Sequence, residues 1–258
     1  MSFFNRVLAS IGIGGTKVDT RLAEGRYYAG DEVQGKVFIQ GGNVEQRIEG
    51  VYLHLLTEYV REHDDHKYNH TQTLDKFRLT GPIQVKPNDQ LEVPFTFRLP
   101  LYTPSTFDRV QVWVKTSLDI DNAVDPDDHD GLQILPHPYT GVVLEAIEEL
   151  GFQIRKVENS YAPRYGRGLP FVQEFEFYPG RQYYGKLDEL EAVFYPTEDG
   201  IEVLLEVDRR ARGFIGLLEE AMDADESKVM LRFSRSELER GTSYIASKLD
   251  EEIRYHAR

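Results

Sequence analysis

Tyr28-Ala29-Gly30-Asp31-Glu32-Val33-Gln34-Gly35-Lys36-Val37 reads as a tight turn running into a strand. Its spacing returns 150 positions later in Tyr178-Pro179-Gly180-Arg181-Gln182-Tyr183-Tyr184-Gly185-Lys186-Leu187, where Tyr, Gly, Gly and Lys coincide and an apolar residue again follows the Lys. Glycine adopts backbone angles closed to other residues, so the pair predicts a turn and a close backbone approach in each copy. Two copies near the first strands of two β-rich halves predict two related domains.

Working outward, Val33, Val37 and Ile39 alternate with polar residues, as do Val51, Leu53, Leu55 and Thr57. Leu91, Val93, Phe95 and Phe97 repeat the pattern, then Val110, Val112 and Val114, and Phe77 to Leu79 reads as a hairpin partner. Alternation with turn signals at this spacing predicts antiparallel sandwiches. Residues 61–73 read as a polar loop, and residues 122–141, rich in Pro and Asp, as the domain linker. The second half predicts a helix over 141–150, strands over 152–157, 171–177, 187–194, 201–207 and 229–233, an inserted helix over 214–222 and a closing helix over 234–255. Ser234 with Glu237 fits a capping box, and Leu238, Ile245, Leu249 and Ile253 form its apolar stripe. The fold class is therefore all-β with added helices: two antiparallel β-sandwich domains in tandem, 1–136 with a short N-terminal helix and 137–258 with the inserted and C-terminal helices.

Composition bounds the function. A formal net charge of −14 disfavours nucleic acid and anionic membranes, whose phosphates the chain's own field repels. The absence of cysteine removes thiolate chemistry, disulfides and Cys-ligated metals and fits a reducing compartment. The N-terminal apolar run is interrupted by Asn5 and Arg6 and is too short to insert stably in a bilayer, so the expected location is the cytoplasm.

The residues Tyr28-x-Gly30-Asp31-x-Val33-x-Gly35-x-Val37, Pro94-Phe95-x-Phe97-x-Leu99-Pro100 and Pro104-Ser105-x-Phe107, with the strand 110–118, resemble the signature of arrestin domains. The small second half with its added helices, the opening Met1-Ser2-Phe3-Phe4 and the segments Arg209-Arg210-Ala211-Arg212-Gly213 and Leu217-Leu218-Glu219-Glu220-Ala221 are similar to the sporulation-control proteins of spore-forming bacteria, which are arrestin-like regulators. The resemblance implies an arrestin-like two-sandwich fold and a non-enzymatic regulator of sporulation that acts as an adaptor through protein–protein interactions. It supplies no catalytic residue, cofactor or metal.

Each remaining motif has a plainer reading. Ile13-Gly14-Gly15-Thr16-Lys17 resembles a sugar-kinase phosphate loop, but a helix precedes it where a strand should, which makes it a connector. His63, Asp64, Asp65, His66 and His70 are ligand types for zinc or nickel, on a loop without a supporting shell; a metal- or sugar-binding enzyme using the His63–His70 loop is the alternative function. Asp125, Asp127, Asp128 and Asp130 suit calcium in kind but not in register. No Gly-x-Ser-x-Gly elbow is present. Two sets of residues stand as candidate sites. Phe3, Phe4, Val7, Leu8 and Ile11 make an association helix, expected to support a homodimer, and Asp119, Asp121, Arg209 and Arg210 are candidate interdomain charges.

Overall fold

The computed structural model describes residues 15–64, 66–120, 125–208 and 228–257. It is mostly β, with few helices, and the chain divides into two units. The first comprises Met1–Thr57, Thr71–Thr103 and Gln111–Ile134; the second comprises Glu58–His70, Pro104–Val110 and Leu135–Arg258.

In the first unit, β1 (Lys17–Leu22), β3 (Glu32–Gln40) and β7 (Gln90–Arg98) form an antiparallel sheet in the order β1-β3-β7. A second sheet centres on β4 (Gln46–His63), paired with β5 (His66–Arg78), β6 (Ile83–Val85) and β8 (Val112–Ile120). It continues through β9 (Asp127–Leu135) to β2 (Arg26–Tyr28). Alternation decides what is buried, because successive strand residues face opposite sides. Val33, Val37, Ile39, Phe95 and Phe97 are buried from one sheet, and Ile48, Leu53, Leu55, Val114 and Leu118 from the other. Between the sheets the Thr20 and Thr116 hydroxyls share a 2.6 Å hydrogen bond, and the Thr20 N–H donates to Asp128 Oδ2 at 2.6 Å.

The first motif folds as predicted. Gly30 sits at φ 93°, and the Asp31 carboxylate accepts from the Tyr28 N–H at 2.7 Å. The turn is stitched to the Leu99-Pro100 motif, since the Gly30 N–H donates to the Leu99 carbonyl and the Leu99 N–H to the Asp31 carbonyl. Gly35 supplies the close approach: a Cβ there would lie 2.5 Å from the Arg21 carbonyl oxygen. The second motif corrects the expectation of an equivalent turn and strand. Its glycines exchange roles, with Gly185 at φ 75° and Gly180 packed where a Cβ would lie 2.5 Å from the Gly151 carbonyl oxygen. Residues 180–187 form a series of turns, closed by the Tyr183 N–H to the Gly180 carbonyl and the Leu187 N–H to the Tyr183 carbonyl. A shared spacing of glycines thus serves two different backbones.

The second unit is an antiparallel meander of β10 (Gln153–Tyr161), β11 (Phe171–Tyr178), β12 (Glu189–Thr197), β13 (Gly200–Asp208) and β14 (Lys228–Ser234). Among the described residues three helices accompany it: α1 (Pro138–Glu149), α2 (Arg235–Leu238) and α3 (Thr242–His256). Val143 and Ile147 of α1, Leu238 of α2, and Ile245, Leu249 and Ile253 of α3 pack with Phe175, Phe177, Leu190, Ala192, Val203 and Leu205 in one core. The helices therefore cover one face of this sheet. The capping box at Ser234 and Glu237 is present, but Gly241 at φ 95° divides the predicted closing helix into α2 and α3.

Two other expectations are corrected. Residues 122–141 hold β9, paired with β8 from Val112↔Leu132 to Ser117↔Asp127, and the start of α1, in place of a plain linker. The polar segment 61–73 is the far end of the β4–β5 hairpin rather than a loop. The predicted helices over 3–11 and 214–222 lie outside the described residues.

Candidate functional site

The tip of the β4–β5 hairpin, Glu58–His70, belongs to the second unit and is held there by aromatic and polar contacts. Tyr59 stacks on His70, Phe171 and Tyr161 with ring centroids 5.4, 5.5 and 6.1 Å away. The Arg61 guanidinium lies 4.5 Å above the Tyr161 ring. Asn159 Nδ2 donates to the Glu58 carbonyl at 2.8 Å, and Ser160 pairs with Val60 in a parallel bridge. Lys67 Nζ stands 3.7 Å from Glu158 Oε2. One side of the tip is thus anchored, while all six residues from His66 to Thr71 of β5 are exposed, Tyr68 by 52%. Among the described residues β5 pairs with β4 and with no other strand, which leaves an outer edge of backbone donors and acceptors.

Beside this tip lies a charged row that sequence reading missed. Cross-strand register aligns Lys156, Glu176, Glu191, Glu206 and Lys228 over five successive strands, with Glu158 opposite Glu174 in the next row. Glu174, Glu189, Glu191 and Glu206 are each 3% exposed or less. The outer members are paired. Lys156 Nζ meets Glu158 Oε2 at 2.9 Å and Glu176 Oε1 at 3.1 Å, and Arg155 Nη1 meets Glu189 Oε2 at 2.7 Å. Lys228 Nζ lies 3.8 Å from Glu206 Oε2, and Ser160 Oγ donates to Glu174 Oε2 at 2.8 Å. Among the described residues no lysine or arginine reaches the central Glu191 carboxyl. Burial, and then the charges of Glu174 and Glu206, push its pKa up to about 11, and burial also raises Glu174. Glu191 therefore holds its proton far above the pH at which an ordinary carboxyl loses it, and Glu174 is its diagonal neighbour on β11. In the sequence, Glu alternating with Phe, Leu and Val reads as the wet side of a sheet; its burial follows from tertiary packing that no local pattern announces.

The predicted site residues are dispersed. His63 and Asp64 are exposed and 3.5 Å apart, His66 is exposed, and His70 stacks on Tyr59. Among the described residues no group of His, Asp and Glu has an arrangement that could hold a metal ion. Of the four aspartates weighed for calcium, Asp125 accepts from the Ile120 N–H, Asp127 pairs with Lys115 at 2.7 Å, and Asp128 accepts from Thr20. Burial and the neighbouring Asp128 raise Asp130 to about 6. Asp119 is exposed on β8; Asp121, Arg209 and Arg210, like Phe3, Phe4, Val7, Leu8 and Ile11, lie outside the described residues. A cavity of about 570 Å³ lined by Gln182, Tyr183, Lys186, Arg254 and Ala257 includes none of the predicted residues. No helix among the described residues is long and apolar enough to cross a membrane.

Comparison with known proteins places this geometry. The family model described as SpoOM protein matches residues 4–211. The sporulation-control protein spo0M of Bacillus subtilis is 46% identical over 258 residues, the whole of both chains. The crystal structure of Spo0M, sporulation control protein, from Bacillus subtilis superposes with a TM-score of 0.90 at 46% identity, covering 95% of this chain and 100% of that one. The chain belongs to the Spo0M family of sporulation-control proteins.

Proposed function

We propose that this protein is a cytoplasmic, arrestin-like adaptor of two tandem β-sandwiches that contributes to sporulation control by binding other proteins, without catalysis and without a cofactor. The observation that carries this reading is the open edge of β5: six consecutive exposed residues on a strand whose outer backbone groups pair with no described strand. An edge of this kind accepts an extended segment through main-chain hydrogen bonds, with side chains of the host strand reading the guest. The anchoring of the tip by Tyr59, Arg61 and Asn159 supports it further, because a preorganised strand loses less entropy on binding. Self-association through the N-terminal apolar residues accompanies this role in our reading.

A photo-crosslinking residue at position 68, in cells entering sporulation, tests the proposal against the same residue at position 184, where Tyr184 is 83% exposed but lies in a turn. A discrete adduct from position 68 and none from position 184 is expected. Silence at 68, or equal adducts from both positions, would show that the β5 edge is not the contact surface.

A further inference from the structure

The buried carboxylate row and the hairpin tip meet at Ser160. Its backbone pairs with Val60 of the tip, and its hydroxyl donates to Glu174, the diagonal neighbour of Glu191 on β11. Glu158 makes a second junction, since its carboxylate receives both Lys156 of the row and Lys67 of the tip. We propose that the buried cluster of Glu191 and Glu206 with the diagonal Glu174 is a proton-dependent latch: with a proton on Glu191 the cluster stays closed and the tip stays seated on β10, and loss of that proton drives the carboxylates apart and frees the tip. The proposal rests on the tip being the contact surface only for its biological meaning; the latch itself is a property of the isolated protein.

The charged groups that face the row, among the described residues, lie mostly at its margins. β10 presents Arg155, Lys156 and Glu158; β11 presents Glu174 and Glu176; β12 presents Glu189 and Glu191; β13 presents Glu206; β14 presents Lys228; and β5 presents Lys67. The Tyr165 ring, 5.3 Å from Lys228 Nζ, is the neighbouring group from the loop after β10. Among the described residues six carboxylates face four cations, and those cations stand at the margins. Three adjacent buried carboxylates cannot all ionise, because like charges disfavour each other most where water is excluded.

The direction of the effect follows from linkage. Released into water, Glu191 returns to an ordinary carboxylate pKa near 4.3, so between that value and about 11 the closed state holds a proton that the open state lacks. Closure therefore weakens as pH rises through this window, and the opening constant grows by at most about tenfold per pH unit for one proton.

Hydrogen exchange on the purified full-length protein at pH 6 and pH 9, corrected for the intrinsic rate, reads that constant for amides of residues 58–70. An increase of at least about tenfold is expected for the tip. In Glu191→Gln, which is uncharged at every pH, the increase should vanish, whereas in Glu202→Gln, paired instead with Arg167 and Arg232, it should persist. Ser160→Ala should separate the two events, with β11–β13 still loosening at pH 9 while the tip no longer responds. A tip indifferent to pH in the natural protein, or an equal response in Glu191→Gln, overturns the latch. If Glu191→Gln fails to fold, Ser160→Ala decides, since an unchanged tip response there overturns it as well. Crosslinking from position 68 is independent of these results, so failure of the latch and failure of the contact surface are distinguishable.

Discussion

Single residues carry the backbone geometry. Gly35→Ala places a Cβ against the Arg21 carbonyl and 2.6 Å from the Phe95 ring, neither of which can yield without disturbing β1 or the core. A loss of about 2–3 kcal/mol is expected, as for overpacking, read as a lower urea midpoint at unchanged slope. Gly185→Ala meets no neighbouring atom and bears only the strain of its positive φ, about 1–2 kcal/mol. The order of the two effects is the test, because the sequence motif treats these glycines as equivalent. Asp130 offers a pH signature of its own. Its carboxyl is raised to about 6, so the stability it confers is present below about pH 4 and lost as pH rises towards 6. Asp130→Asn should flatten the thermal-stability profile in that interval and leave the alkaline side unchanged. What the sequence made legible at this scale was the need for glycine; which glycine turns and which packs depends on the chain that crosses it, Leu99 and Arg21 in one copy and Gly151 in the other.

At the scale of elements, strands with one buried face were readable. The predicted strands over 171–177 and 201–207 differ from β11 and β13 by a residue at each end or less, because Phe175, Phe177, Val203 and Leu205 repeat with period two against the helices. β9 escaped because Leu132 and Ile134 are its only deeply buried apolar residues, and the aspartates before them meet Lys115 and Thr20 instead of solvent alone. The hairpin itself was legible, but the strand character of its tip escaped for the opposite reason: a strand exposed on both sides has no alternation to show. Its anchoring gives an element-level prediction. His63→Ala and His66→Ala should each change stability by no more than about 0.5 kcal/mol, as surface substitutions do. His70→Ala, which removes the stack on Tyr59, should cost about 0.5–1.5 kcal/mol. Unfolding monitored by far-ultraviolet circular dichroism separates the three. Equal costs for all of them would argue that the stack holds nothing in place.

For the whole molecule, the acidic excess and the apolar N-terminus pull in different directions. A net charge of −14 keeps copies apart at long range, yet Phe3, Phe4, Val7, Leu8 and Ile11 are five apolar side chains at helical spacing. Burying each fully is worth about 1.5–3 kcal/mol, whereas a helix of about three turns is marginal alone in water, so this segment gains stability only by docking. Salt should then strengthen association, because screening removes the repulsion between copies and leaves the apolar term. Sedimentation equilibrium at about 0.05 M and 0.5 M salt is expected to give a dimer more fully populated at the higher concentration, and deletion of residues 1–12 is expected to return a monomer at both. Anionic liposomes supply the competing surface. They should not retain the intact protein at either ionic strength, since the same charge that opposes self-association opposes phosphate more strongly. Flotation of the intact chain with liposomes, together with an unchanged mass after the deletion, would place these five residues at a membrane surface and remove the case for a homodimer.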